Sequence, residues 1–246
     1  MRLSGAILFF CLSLTATADT VTVAVASNFR STAELIAAEF TTQTGHAVRL
    51  STASTGKLHA QILHGAPFDV LLAADADSPR LLDESGAGVA GTRFTYAIGI
   101  LVLWSAAADA ANCRSDLDKS GQFRVAIANP LTAPYGRAAE TFLRSAGLWE
   151  SLTPQLVYGE NVAQALHFAV SGNARYALVA KSQTLDATLP SATCAWQVPA
   201  DAHAPLLQQA ILLQHAAGNT AAKDFLSFLQ GEIARDTIRR SGYGVP

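Results

Sequence analysis

The chain has little of what most ligand chemistry is built from. Only 15% of its 246 residues are charged, and the 17 Lys and Arg do not outnumber the 19 Asp and Glu, leaving a formal net charge of −2. That balance excludes a basic nucleic-acid-binding surface as the leading function. No apolar run reaches the roughly 18 residues of a membrane span, so no membrane insertion is expected. The histidines His46, His59, His64, His167, His203 and His215 are scattered, and the spacing of His59 and His64 does not put them on one helical face. There is no H-E-x-x-H and no cysteine pair at ligand spacing, so no direct metal-ion ligands are expected. G-x-S-x-G is absent as well, and no serine stands beside a plausible base. Ser54-Thr55-Gly56-Lys57 invites a phosphate-loop reading, but that pattern needs Gly where the chain has Ser51, and Ser or Thr where it has Leu58. Nucleoside triphosphate binding is thereby excluded. Asp69, Asp75 and Asp77 read as strand-end and turn residues rather than a catalytic cluster. The sequence therefore predicts neither an enzyme nor a cofactor.

What is present begins with a leader. Arg2 supplies a positive start, residues 6–14 an apolar core, and Ala16-Thr17-Ala18 a cleavage site, which together read as a secretory signal peptide over 1–18. Cys11 follows Phe9-Phe10, whereas a lipid-modified cysteine wants a small residue before it, so no lipid anchor is expected. Export leaves Cys113 and Cys194 in an oxidising compartment. Their separation suggests one disulfide rather than a metal site, with two unpaired buried thiols as the alternative.

The mature segment reads as alternating strands and helices. Residues 21–25 (VTVAV) form a strand that runs into a helix with Phe29, Ala33, Ile36, Ala37 and Phe40 on one face. Strands follow at 47–51 and 68–73, separated by a short helix at 57–63, and a helix lies around 79–84. Short spacings of this kind argue for a parallel α/β sheet. Residues 94–104 (FTYAIGILVLW) are longer than an ordinary strand and predict a crossing between two lobes. A second α/β set follows, with strands at 123–128, 156–158 and 176–180 and helices at about 137–146 and 160–171. Residues 206–214 predict a second crossing strand, and a helix over 220–241 closes the chain. The expected fold is a two-lobed α/β protein, each lobe a mostly parallel sheet flanked by helices, with 19–97 and 204–246 as lobe I and 98–203 as lobe II. A cleft between the lobes is the natural site.

Four strand-to-helix junctions carry small polar residues or glycine: Ser27-Asn28, Ser54-Thr55-Gly56, Tyr135-Gly136 and Asn161-Val162. At each, unpaired backbone N–H groups and the helix dipole favour an anion. Taken singly, such residues are more often plain helix caps; two junctions per lobe in an exported chain favour the anion reading.

At these junctions the residues AVASNF, STASTGKLHAQILHGAPFDVLLAAD, NPLTAPYGRAAETFLRSAGLWESL and GENVAQAL, with the closing FLSFLQGEIARDTIRRSGYG, resemble the periplasmic molybdate-binding proteins of ABC importers. The segment from Gly65 to Asp75 is particularly diagnostic. The resemblance implies a type II periplasmic binding protein, monomeric and working with an ABC permease. It implies oxyanion ligands at Ser27, Thr55, Tyr135 and Val162, the last two through backbone N–H groups. Where many members offer a tyrosine hydroxyl this chain has Ala180, and Asn28, a side-chain donor in a subgroup, is inferred to replace it. The ligand would be molybdate or tungstate, dianions that only accept hydrogen bonds and are satisfied by neutral donors, each worth on the order of 1.5–3 kcal/mol. The alternatives are a receptor for another tetrahedral oxyanion such as sulfate, or an exported enzyme acting on an anionic substrate.

Overall fold

The computed structural model describes residues 19–110, 112–119 and 123–246. The expected leader over 1–18, with Cys11, lies outside the described residues. The chain opens with β1 (Thr20–Ala26), a 3-10 turn (Ser27–Phe29), α1 (Arg30–Thr44), β2 (Ala47–Ala53), α2 (Thr55–Leu63), β3 (Val70–Leu72), α3 (Asp77–Glu84) and β4 (Phe94–Gly99). It continues with β5 (Leu101–Ser105), α4 (Cys113–Asp116), β6 (Val125–Ala128), α5 (Pro134–Ser145), α6 (Trp149–Leu152), β7 (Leu156–Gly159), α7 (Val162–Val170), β8 (Tyr176–Ala180) and β9 (Cys194–Gln197). It ends with β10 (Leu206–Leu212), α8 (Thr220–Gln230) and α9 (Glu232–Arg240).

Among the described residues the strands form two sheets, ordered β2-β1-β3-β10-β4 and β7-β6-β8-β5-β9. In the first, β10 is antiparallel to its neighbours β3 and β4, while β2, β1 and β3 are parallel. In the second, β5 is the strand that runs against β8 and β9. The exceptions have one cause. β4 leads straight into β5, and β9 leads on to β10, so each exceptional strand enters its sheet from the end at which the others finish. The carboxyl ends of the remaining strands therefore face one another, which is where ligands bind in open α/β sheets.

Packing follows the alternation expected of strands covered on both faces. Val23, Val25, Val70 and Leu72 pack with Phe29, Phe40 and Phe225 on one side of the first sheet. Ala24, Leu71 and Ile211 pack with Leu58, Ile62 and Leu82 on the other. The second sheet has its own core, with Trp104, Ile127, Phe142, Leu166, Tyr176 and Leu178 buried in it. Cys113 at the start of α4 and Cys194 at the start of β9 are joined by a disulfide, their Cα atoms 6.0 Å apart.

Three expectations are corrected. Residues 94–104 do pass from one sheet to the other, but as two strands and not one: pairing passes at Ile100 from β10 to β8 and β9, because the two halves belong to different sheets. Residues 206–214 do not cross, since β10 lies wholly in the first sheet and the return is made by the segment before it. The closing helix is two helices, because Gly231 sits at φ −74°, ψ 162°, an extended conformation that a continuous helix cannot contain.

Candidate functional site

Where the strand ends face one another, Ala26, Ser27, Asn28, Ser54, Thr55, Ala74, Ala133, Pro134, Tyr135 and Val162 line a small cavity. Ser27, Asn28, Thr55, Tyr135 and Val162 are thus brought together from four segments and both sheets. None of the lining residues is charged.

Each segment delivers donors for a local reason. Ser27 and Asn28 head the 3-10 turn after β1, so their N–H groups have no intrahelical partner. Thr55 is the first residue of α2. Its Oγ1, fully buried, accepts from the Ala74 N–H at 3.0 Å, which leaves the hydroxyl proton to be donated elsewhere. Pro134 takes the first position of α5, where its missing N–H costs nothing, and Tyr135 follows with an N–H in the unpaired first turn. Asn161 caps α7, its Oδ1 accepting from the N–H groups of Ala163 and Gln164, and that arrangement leaves the N–H of Val162 uncapped. Four helical starts therefore present backbone N–H groups and positive dipole ends to one cavity. Such a site suits a small, fully deprotonated anion, because every group offered is a donor.

Asn28 is placed differently from the side-chain role inferred for it. Its Nδ2 donates to Gln208 Oε1 at 3.0 Å and to the Tyr243 hydroxyl at 3.1 Å. Both amide protons are engaged within the protein, so Asn28 meets the cavity through its backbone. Its carbonyl accepts from Tyr243 (2.7 Å) and from Ser182 Oγ (3.2 Å), which fixes the turn. Gln208, wholly buried on β10, is the hub of this network. Its Oε1 also accepts from the Tyr96 hydroxyl, and its Nε2 donates to the Tyr135 hydroxyl across to the second sheet's half. Burial pushes the phenols of Tyr96, Tyr135 and Tyr243 up, so all three remain protonated donors. Gln208→Leu would leave one Asn28 amide proton without its acceptor and Tyr135 without a donor. We expect it to lower the unfolding free energy by about 1–2 kcal/mol, measured by urea denaturation.

Charges ring the cavity in pairs that join the two halves. Lys57 of α2 meets Glu160, just before α7, at 2.7 Å. Arg137 of α5 meets Asp75, just after β3, at 2.6 Å. The Gly56 N–H donates to the Thr132 carbonyl at 2.9 Å, also from one half to the other. Glu160 is therefore directed at the opposite half and neutralised there; the Lys57 ammonium hydrogen-bonded to it holds its carboxyl below the usual range. Lys57→Met would leave that carboxylate unpaired beside a bound anion. Affinity should fall by about fivefold at low ionic strength, and the difference from the unaltered protein should shrink in titrations at high salt.

The acidic residues weighed as a catalytic cluster have structural partners. Asp69 accepts from the Thr22 N–H at 2.6 Å, Asp75 accepts from the Ser78 N–H in the first turn of α3 at 3.0 Å, and Asp77 pairs with Arg80 at 3.3 Å. No group of three or more His, Cys, Asp or Glu able to hold a metal ion occurs among the described residues. No helix among them is long and apolar enough to cross a membrane. Gln208 and Tyr243 went unrecognised in the sequence. The available signal for Gln208 was a polar residue on the inward phase of the otherwise apolar strand LLQQAIL; Tyr243 gave none.

Residues 21–244 match the family model described as bacterial extracellular solute-binding protein. The molybdate-binding protein ModA of Rhodobacter capsulatus is 43% identical over 232 residues, covering 94% of this chain and 91% of the relative. ModA of Azotobacter vinelandii is 42% identical, covering 95% and 93%. The solved structure of the Azotobacter vinelandii periplasmic molybdate-binding protein superimposes with a TM-score of 0.87 at 39% identity, covering 92% of this chain and 99% of that one.

Proposed function

Because the chain belongs to the bacterial extracellular solute-binding protein family, we propose that it captures molybdate, and tungstate equally well, in the cavity between its two lobes and delivers the anion to an ABC permease. The observation that carries this reading is a cavity bounded by four helical starts and free of charged side chains. Molybdate and tungstate are dianions without protons at neutral pH, so a cage of donors satisfies every oxygen. Hydrogen phosphate carries a proton that asks for an acceptor, and the cage has no carboxylate to supply one.

The ligands in this reading are Ser27 and Thr55, through hydroxyl and backbone, and Asn28, Tyr135 and Val162, through backbone N–H groups. Residues 19–97 with 204–246 act as one lobe and 98–203 as the other. The hinge lies at Ile100 and in the segment between β9 and β10. Closure of that hinge brings Thr132 to Gly56, Glu160 to Lys57 and Asp75 to Arg137, and the closed form is what the permease reads. The protein works in the periplasm as a monomer after removal of residues 1–18, and it turns over no substrate.

Calorimetric titration with molybdate, tungstate, sulfate and phosphate tests the proposal. Tight binding of the first two with weak or absent binding of the others is expected. Sulfate has the same charge and shape but is smaller, so tight sulfate binding without a molybdate response would transfer the assignment to a sulfate receptor.

A further inference from the structure

We infer that Ser54 is a further ligand-binding residue, its hydroxyl donating directly to the captured oxyanion. The inference rests on the anion-binding reading of the cavity and adds to it a donor from the cap of α2.

Ser54 lines the cavity and is 3% exposed. Its Oγ is buried and has no hydrogen-bond partner among the described residues. A buried hydroxyl without a partner is costly, and folded proteins rarely retain one without a use.

The position makes the missing partner informative. Ser54 is the N-cap of α2, with extended backbone at φ −69°, ψ 149°. A serine there ordinarily accepts from the N–H two or three residues on. Here it makes no side-chain cap hydrogen bond. The N–H two residues on belongs to Gly56, and it donates to Thr132 of the other lobe. Closure thus engages the donor that Ser54 would otherwise serve, and the serine hydroxyl is left at the cavity wall.

The groups already facing the cavity are donors: backbone N–H groups at the helical starts, and the Thr55 hydroxyl, whose oxygen is taken by the Ala74 N–H. The Ser54 hydroxyl proton, which has no acceptor among the described residues, needs one, and a deprotonated oxyanion supplies it. The start of α2 then contributes two adjacent hydroxyl donors, from Ser54 and Thr55, in a cage without Lys or Arg.

Ser54→Ala tests this in the full-length mature chain, by calorimetric titration with sodium molybdate and by thermal unfolding without ligand. Loss of a charge-assisted bond should raise the Kd for molybdate about tenfold or more. The unfolding temperature without ligand should be unchanged or slightly higher, because no bond within the protein is lost. An unchanged Kd overturns the inference. So does a raised Kd accompanied by a clear loss of stability without ligand, which would make Ser54 a structural residue. If the unaltered protein gives no response to molybdate, the anion-binding reading fails and Ser54 falls with it. A normal response from the unaltered protein beside an unchanged variant removes Ser54 alone.

Discussion

Gly56→Ala should weaken molybdate binding by about ten- to a hundredfold while leaving both lobes folded. A Cβ at this position would stand 2.9 Å from the Thr132 carbonyl oxygen and 3.1 Å from its Cα, both backbone atoms of the opposite lobe. Backbone cannot swing aside as a side chain can, so the added methyl acts as a wedge between the lobes. Overpacking of this kind costs about 1–3 kcal/mol, the range of affinity loss stated. It also lengthens or breaks the Gly56 N–H bond to Thr132, which measures 2.9 Å. Within α2 the substitution acts the other way, since alanine is the better helix former by about 0.5–1 kcal/mol. The ligand-free protein should therefore unfold at an unchanged or higher temperature. Small-angle scattering with molybdate should register a bound form less compact than that of the unaltered protein. Unchanged affinity would mean that the lobes do not meet at Gly56 when the anion is held.

Thr55→Val should be as damaging to binding and, unlike Gly56→Ala, should also destabilise the ligand-free protein. Valine conserves the shape and removes only the hydroxyl. The anion loses a donor worth on the order of 1.5–3 kcal/mol, which corresponds to a loss of about ten- to a hundredfold. The Ala74 N–H, which donates to Thr55 Oγ1 at 3.0 Å, is left buried and unpaired. That second effect should lower the unfolding free energy by about 1–3 kcal/mol in urea denaturation. Thr55→Ser keeps the hydroxyl and should bind within a few fold of the unaltered protein. Unchanged affinity in the valine variant, with a loss confined to the serine variant, would show that the methyl group, and not the hydroxyl, is what the site uses.

Much of the site could be read from residue patterns because each piece of it is local. The passage from VTVAVA to SNF, or from STA to STGKL, marks a strand end meeting a helix start, and unpaired N–H groups at such a start follow from helix geometry alone. Ser27, Asn28, Thr55, Tyr135 and Val162 were found in this way together with the family resemblance. That the four starts share one cavity depends on how two sheets face each other, which no local pattern encodes. The same limit hid the partners of the charged residues: nothing local to Glu160 shows that α2 of the other lobe brings Lys57 to it. It also misdirected the reading of Asn28, whose amide looks available until Gln208 and Tyr243, 180 and 215 residues away in sequence, are seen to take both protons. Within the fold, β9 was missed, because CAWQ is only half buried and lacks the apolar run that marked strands as short as β3 and β6. The break at Ile100 was missed because hydrophobicity runs through it while the pairing partners change.

Crystals of the protein grown with molybdate, with diffraction recorded across the molybdenum absorption edge, give the most direct test of the neutral donor cage. The anomalous difference map should contain one dominant peak in the cavity, within hydrogen-bonding range, through the oxyanion's oxygens, of Ser27, Asn28, Thr55, Tyr135 and Val162, with no Lys or Arg side chain in contact. A molybdenum peak elsewhere, or one held in the cavity by a charged side chain, would contradict it.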